Sequence, residues 1–89
     1  MPTVLVPTAY RGPTRGQAEV EVDGATVREC LKAVEAQFPG FLEQVVDASG
    51  NVHRFVKLFV NEVVIDSAEV DRAVETDDRV EVLAAIAGG

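Results

Sequence analysis

Tryptophan is missing from the 89 residues, and cysteine, histidine and methionine occur once each. One cysteine cannot close an internal disulfide, and Cys30 with His53 supplies too little for a zinc cluster or for the usual nucleophile and base of covalent catalysis. A reducing compartment is the expectation, and with it a cytoplasmic location. Aromatic residues make up only 6% of the chain, so the core must be built from aliphatic side chains. No apolar run approaches the roughly 18 residues of a membrane-spanning helix, and Met1-Pro2-Thr3 lacks the basic start of a secretory leader. Basic residues are scarce as well, eight against fifteen acidic, which leaves seven net negative charges. That balance repels phosphate backbones and anionic lipid, so neither nucleic acid nor membrane is an expected partner, whereas a protein with a basic rim is. The same charge also serves solubility.

What is present points to one small globular domain spanning 1–89. An apolar share of 47% with 26% charged residues is enough to fold and argues against disorder. Alternation predicts a first strand over Thr3–Pro7, with Val4 and Val6 on one face and Thr3 and Leu5 on the other. The Gly and Pro residues of Tyr10–Gly16 mark a loop, and Ala18–Val22 alternates as a second strand, so the two form a hairpin. Thr26-Val27-Arg28-Glu29 carries the Thr-x-x-Glu signature of a helix start. Behind it Val27, Cys30, Leu31, Val34 and Phe38 gather on one helical face, leaving Arg28, Glu29, Lys32, Glu35 and Gln37 for water, and Pro39-Gly40 closes the helix.

Phe41–Val46 is read as a further helical turn before the loop at 47–51. A third strand is expected over Arg54–Val60, with Val56, Leu58 and Val60 on one side and Phe55, Lys57 and Phe59 on the other. Asn61-Glu62 makes a tight connection to Val63–Ile65, although Asn-Glu is a weaker turn signal than Asn-Gly. Ser67–Asp78 is polar, with Val70 and Val74 at helical spacing, and Arg79–Leu83 is the last strand. One helix covering a sheet built mostly from hairpins is an α+β roll rather than a doubly wound sheet.

The sequence ends Ala84-Ala85-Ile86-Ala87-Gly88-Gly89. Glycine has no Cβ and accepts nearly every backbone dihedral, so a Gly-Gly end can thread a channel too narrow for other residues. Residues 85–89 are accordingly expected to be a flexible tail that presents the Gly89 carboxylate to another protein's active site. The bland alternative is a frayed end with incidental glycines.

Other residues invite a function and have a simpler reading. Cys30 lies on the apolar face of the helix and reads as a small buried hydrophobe rather than a sulfur bearer. His53 has no partner in sequence that would make it a base. The acidic run from Asp66 to Asp78 lacks the alternating ligands and central glycine of a calcium loop, and reads as a solvated face. Arg11 and Arg15 either contact a partner or keep their loop soluble.

Three segments carry a family resemblance. His53-Arg54-Phe55-Val56 followed by Phe59-Val60-Asn61, then Asp77-Asp78-Arg79-Val80, then Ala85-Ile86-Ala87-Gly88-Gly89 together resemble the ubiquitin-like sulfur carriers of the ThiS and MoaD families, including those that serve cysteine biosynthesis. The likeness spans nearly the whole chain. One departure is Ala84-Ala85, where many relatives carry a proline just before the tail. The resemblance implies a ubiquitin-like β-grasp fold, a mixed sheet of about four to five strands packed on one main helix.

It also implies a chemistry. An activating enzyme of the E1-like type would use ATP to adenylate the Gly89 carboxylate, and sulfide or a persulfide would then leave a thiocarboxylate, with Ile86, Ala87 and Gly88 threading the partner's active site. The implied recipients are a cysteine synthase-like, thiazole synthase-like or molybdopterin synthase-like enzyme, with a metalloprotease releasing product where cysteine is made. The chain would bind no cofactor and no metal of its own and would not be an enzyme. The alternatives are a ubiquitin-like modifier joined through Gly89 to lysines, the small subunit of a molybdopterin synthase, or a plain interaction domain. If the helix covers the Val80 and Val82 side of the last strand, Phe59 and Leu83 face outward with Ile86 nearby as a docking group. The ordinary alternative is that they are isolated surface hydrophobes or lie under loops.

Overall fold

The helix begins where its cap predicts. In the computed structural model, which describes residues 1–84, the Thr26 side chain accepts the Glu29 N–H at 3.1 Å. The Glu29 carboxylate reaches back to the Ala25 N–H at 3.0 Å, one residue further than a standard capping box. Helix α1 runs Val27–Gln37 and buries Val27, Cys30, Leu31 and Val34. It stops because Pro39 follows and Gly40 turns the chain at φ +103°, a value that a side chain would strain.

Five strands form one sheet: β1 (Thr3–Leu5), β2 (Glu19–Glu21), β3 (Val56–Val60), β4 (Val63–Ile65) and β5 (Arg79–Ala84). Their order is β2-β1-β5-β3-β4, with β1 and β5 parallel and every other pair antiparallel. The last strand is therefore the central one. Short 3-10 turns lie at Thr8–Tyr10, Leu42–Gln44 and Ser67–Glu69. Val4, Val20, Val56, Leu58, Val60, Val80 and Val82 turn inward and pack in one core with the apolar face of α1. This mixed sheet around one helix is the β-grasp arrangement that the resemblance implied.

The hairpin turn is tight despite its weak sequence signal. Asn61 and Glu62 both take positive φ, 51° and 71°, so that Val60 pairs directly with Val63. Strand ends differ from the alternation pattern. β1 stops at Leu5 and β2 spans only Glu19–Glu21, although Val6 N–H still bonds Ala18 O at 2.8 Å and Val22 N–H bonds Pro2 O at 2.9 Å. Arg54 and Phe55 belong to a turn rather than to β3, because Val56 N–H closes back on His53 O at 2.9 Å.

Two residues assigned to water do structural work instead. Glu35 is half-buried, and its carboxylate accepts the Gly40 N–H at 3.1 Å and the Leu42 N–H at 2.8 Å, which ties the end of α1 to the next turn. Arg28 donates to Asp71 at 2.7 Å and to Gly50 O at 2.7 Å, joining three segments at the start of the helix. The loop between β1 and β2 also contributes to the interior. Tyr10 is buried in the core, and Thr14 is buried with its hydroxyl donating to Gln17 O at 3.0 Å.

Candidate functional site

Strand β5 sets the geometry of the carboxyl end. It is paired on both sides, with Val80 opposite Val4 of β1 and opposite Val60 of β3, and its pairing with β3 continues to Ala84 opposite Val56. The chain is thus held by the middle of the sheet to within five residues of Gly89. Ile86, Ala87, Gly88 and Gly89, and the tail 85–89 as a whole, lie outside the described residues.

Because side chains alternate across a strand, inward Val80 and Val82 leave Arg79, Glu81 and Leu83 on the face away from α1. Register places the rest. Glu81 stands opposite Leu5 on β1 and opposite Phe59 on β3, and Phe59 stands opposite Val64 on β4. Leu83 stands opposite Lys57. The outer face therefore carries a row Leu5, Glu81, Phe59, Val64, with Leu83 one step closer to the carboxyl end. Leu83 is 41% exposed and Val64 57%, while Leu5, Phe59 and Glu81 are half-buried. Phe59 and Leu83 share this face, as the alternation predicted. Leu5, Glu81 and Val64 complete it, and the same period-two reading places them there.

Charge on this face is mixed. Arg79 reaches Glu19 at 3.4 Å, an exposed pair of small energetic weight. A hollow of about 380 Å³ beside Leu83 is lined by Leu5, Pro7, Arg11, Glu19 and Glu81 among others. A larger one, about 720 Å³, lies elsewhere, lined by Glu35, Leu42, Glu43, Val46, Ala48 and His53 and by no residue of β5. It is therefore not part of the face that leads to the carboxyl end.

The residues with a tempting chemistry are placed as follows. Cys30 is fully buried under the sheet, and burial first, then the charges of Glu29, Asp23 and Asp78, push its thiol pKa up. A thiol that is inaccessible and hard to ionise is a poor nucleophile. His53 stacks on Phe55 with ring centroids 5.2 Å apart, and its Nε2 lies 3.1 Å from Glu43 O. Its imidazole is therefore engaged by a ring and a backbone carbonyl. Asp66 and Glu69 form a reciprocal cap on their 3-10 turn, and Asp71 pairs with Arg28. Among the described residues no group of three or more His, Cys, Asp or Glu is arranged to hold a metal ion. No helix among them is long and apolar enough to cross a membrane. Arg11 donates its Nε to Val6 O at 2.9 Å, so it fastens the loop to the sheet, whereas Arg15 is exposed at φ 56°.

A β-grasp roll whose central strand leads to Gly88-Gly89 is the architecture of ubiquitin-like carriers, and the chain belongs to the ThiS family, whose model matches residues 4–89. It is similar to sulfur carrier protein CysO of Mycobacterium tuberculosis, at 39% identity over 90 residues that cover 98% of this chain and 97% of that protein. Crystal structures agree. A chain of the Amycolatopsis orientalis BexX/CysO complex superposes with a TM-score of 0.90 at 33% identity, covering all of both chains. Mycobacterium tuberculosis CysO superposes at 0.87 with 34% identity, covering 97% of this chain and all of that one.

Proposed function

We propose that this chain is a sulfur carrier that works through the carboxylate of Gly89. The observation that carries the reading is the position of β5: a strand locked on both sides in the centre of the sheet, directly followed by a short stretch that ends in two glycines. Five residues beyond Ala84 reach at most about 18 Å when extended. That is long enough to enter a partner's active site and short enough that the body of the domain rests against the same partner. The family match running through Gly89 supports it.

The chemistry follows from the carboxylate, which is unreactive until it gains a leaving group. A partner of the E1-like type, using ATP, would form the acyl adenylate with release of pyrophosphate. Hydrosulfide then adds to the carbonyl, the new C–S bond forms, the C–O bond to AMP breaks, and a thiocarboxylate remains. A persulfide donor reaches the same product after a thiol reduces the S–S bond of the acyl disulfide. The thiocarboxylate is ionised and nucleophilic near neutral pH, so it can pass sulfur to an acceptor enzyme. The acceptor in this reading is a cysteine synthase-like, thiazole synthase-like or molybdopterin synthase-like enzyme. Catalysis, ATP and any metal belong in this reading to the partners.

Phe59 and Leu83 are the docking anchors of the proposal. Both lie on the outer face, on the two strands paired through Ala84. The experiment is incubation with ATP, sulfide and the E1-like enzyme of the same organism, followed by intact mass. A gain of about 16 Da, one oxygen replaced by sulfur, supports the carrier reading. Lysine conjugates without that gain would move the chain to the modifiers.

A further inference from the structure

The centre of the docking face holds a carboxylate. Glu81 is half-buried between Leu5 on one neighbouring strand and Phe59 on the other. Its side chain has no hydrogen bond or ion pair among the described residues, where the two ion pairs are Arg28 with Asp71 and Arg79 with Glu19. Arg11, which lines the same hollow, is turned to Val6 O. Lys57 stands opposite Leu83, a diagonal step away. Any protein that covers this face strips water from the Glu81 carboxylate, a cost that a matching cation or hydrogen-bond donors on the partner must offset, and a cation offsets it most strongly.

We propose that the docking partner presents an arginine which seats between Leu5 and Phe59 and pairs with Glu81. The inference rests on the carrier reading, because it names what the docking partner offers. Arginine suits the position better than lysine. Its planar fork matches both carboxylate oxygens, it lies flat on an aromatic ring such as Phe59, and it gives up water more readily than an ammonium. Hollows of about 380 Å³ flank Glu81, one towards Pro7 and Leu83 and one towards Asn61 and Arg79, so a guanidinium can approach from either side. A second copy of this chain is the less suited occupant, since each copy carries seven net negative charges.

The test is titration calorimetry of the full chain with the E1-like enzyme of the same organism, at about 50 and about 300 mM salt. Wild type, Glu81→Gln, Glu81→Arg and Leu83→Ala are compared after thermal melts show them folded. Glu81→Gln is expected to weaken binding about tenfold and to flatten the salt dependence, and Glu81→Arg about a hundredfold, restored by an Arg→Glu change in the enzyme. Leu83→Ala weakens binding without changing the salt dependence. If Glu81→Gln binds as wild type while Leu83→Ala is weakened, the arginine is refuted and the docking face stands. If Leu83→Ala is also neutral, the docking face falls too. Self-association of the wild type that Glu81→Arg abolishes would equally refute the proposal, because the cation would then come from a second copy.

Discussion

Asn61 and Asp78 lock the hairpin turn to the start of the central strand. The Asn61 amide donates to Asp78 Oδ1 at 2.9 Å, while its own oxygen accepts the Arg79 N–H at 3.0 Å. Asp78 also accepts the Glu75 N–H at 2.8 Å. Those bonds, the Glu75 backbone first and then Asn61, hold the Asp78 carboxyl below its ordinary pKa, and Arg28 does the same for Asp71. A depressed folded-state pKa contributes stability that is complete above the unfolded value, about 4 for aspartate, and is lost as pH falls through the folded value. Urea midpoints of wild type and Asp78→Asn should therefore differ at pH 7 and converge as pH falls through the acid range below about 4. A difference that stays constant with pH would show that ionised Asp78 is not favoured by the fold.

Gly24 is expected to resist substitution because of contact with the helix. A Cβ there would lie 2.9 Å from Cys30 N, 3.1 Å from Cys30 Sγ and 3.1 Å from Glu29 C, and two of these are backbone atoms of α1. Gly24→Ala should cost about 1 to 3 kcal/mol, read from the urea midpoint. An unchanged midpoint would place the loop 23–25 further from the helix than described.

The Cys30 thiol should ignore alkylating reagents in the native protein. It is fully buried and its pKa is raised, so iodoacetamide labelling at pH 8 should follow the fraction unfolded, and Cys30→Ala should still be charged by the activating enzyme. Rapid native labelling, or loss of charging in that variant, would bring Cys30 back as a sulfur-bearing group.

Loss of either apolar anchor should weaken activation. Phe59→Ala or Leu83→Ala is expected to reduce kcat/KM for adenylation by the equivalent of about 1 to 3 kcal/mol. Leu83, which is 41% exposed, should do so with little change in thermal stability. Kinetics equal to wild type in both variants would return the two residues to ordinary surface.

Much of this was legible in sequence because the local signals agree. Thr26 and Glu29 mark the helix start, and Val27, Cys30, Leu31 and Val34 recur at its period. Alternation over Val56–Val60 and Arg79–Leu83 sorts inward from outward residues, which is why Phe59 and Leu83 could be placed on one face. The failures come from partners distant along the chain. Glu35 and Arg28 look solvent-facing until Leu42, Gly50 and Asp71 fold against them, and no local pattern encodes those meetings. Phe55 continues the alternation of β3, yet the His53–Val56 turn bond removes it from the strand, where it stacks on His53 instead. Tyr10 was hidden by the Gly and Pro residues around it, which signal a loop and say nothing of a side chain directed into the core.

The most direct measurement locates the added mass. After reaction with ATP, sulfide and the activating enzyme, tandem mass spectrometry of the carboxyl-terminal peptide should place a gain of about 16 Da on Gly89, and a chain lacking Gly88 and Gly89 should remain uncharged while melting as wild type does. Charging of the shortened chain, or mass gained at Cys30 or a lysine with Gly89 unmodified, would contradict the account.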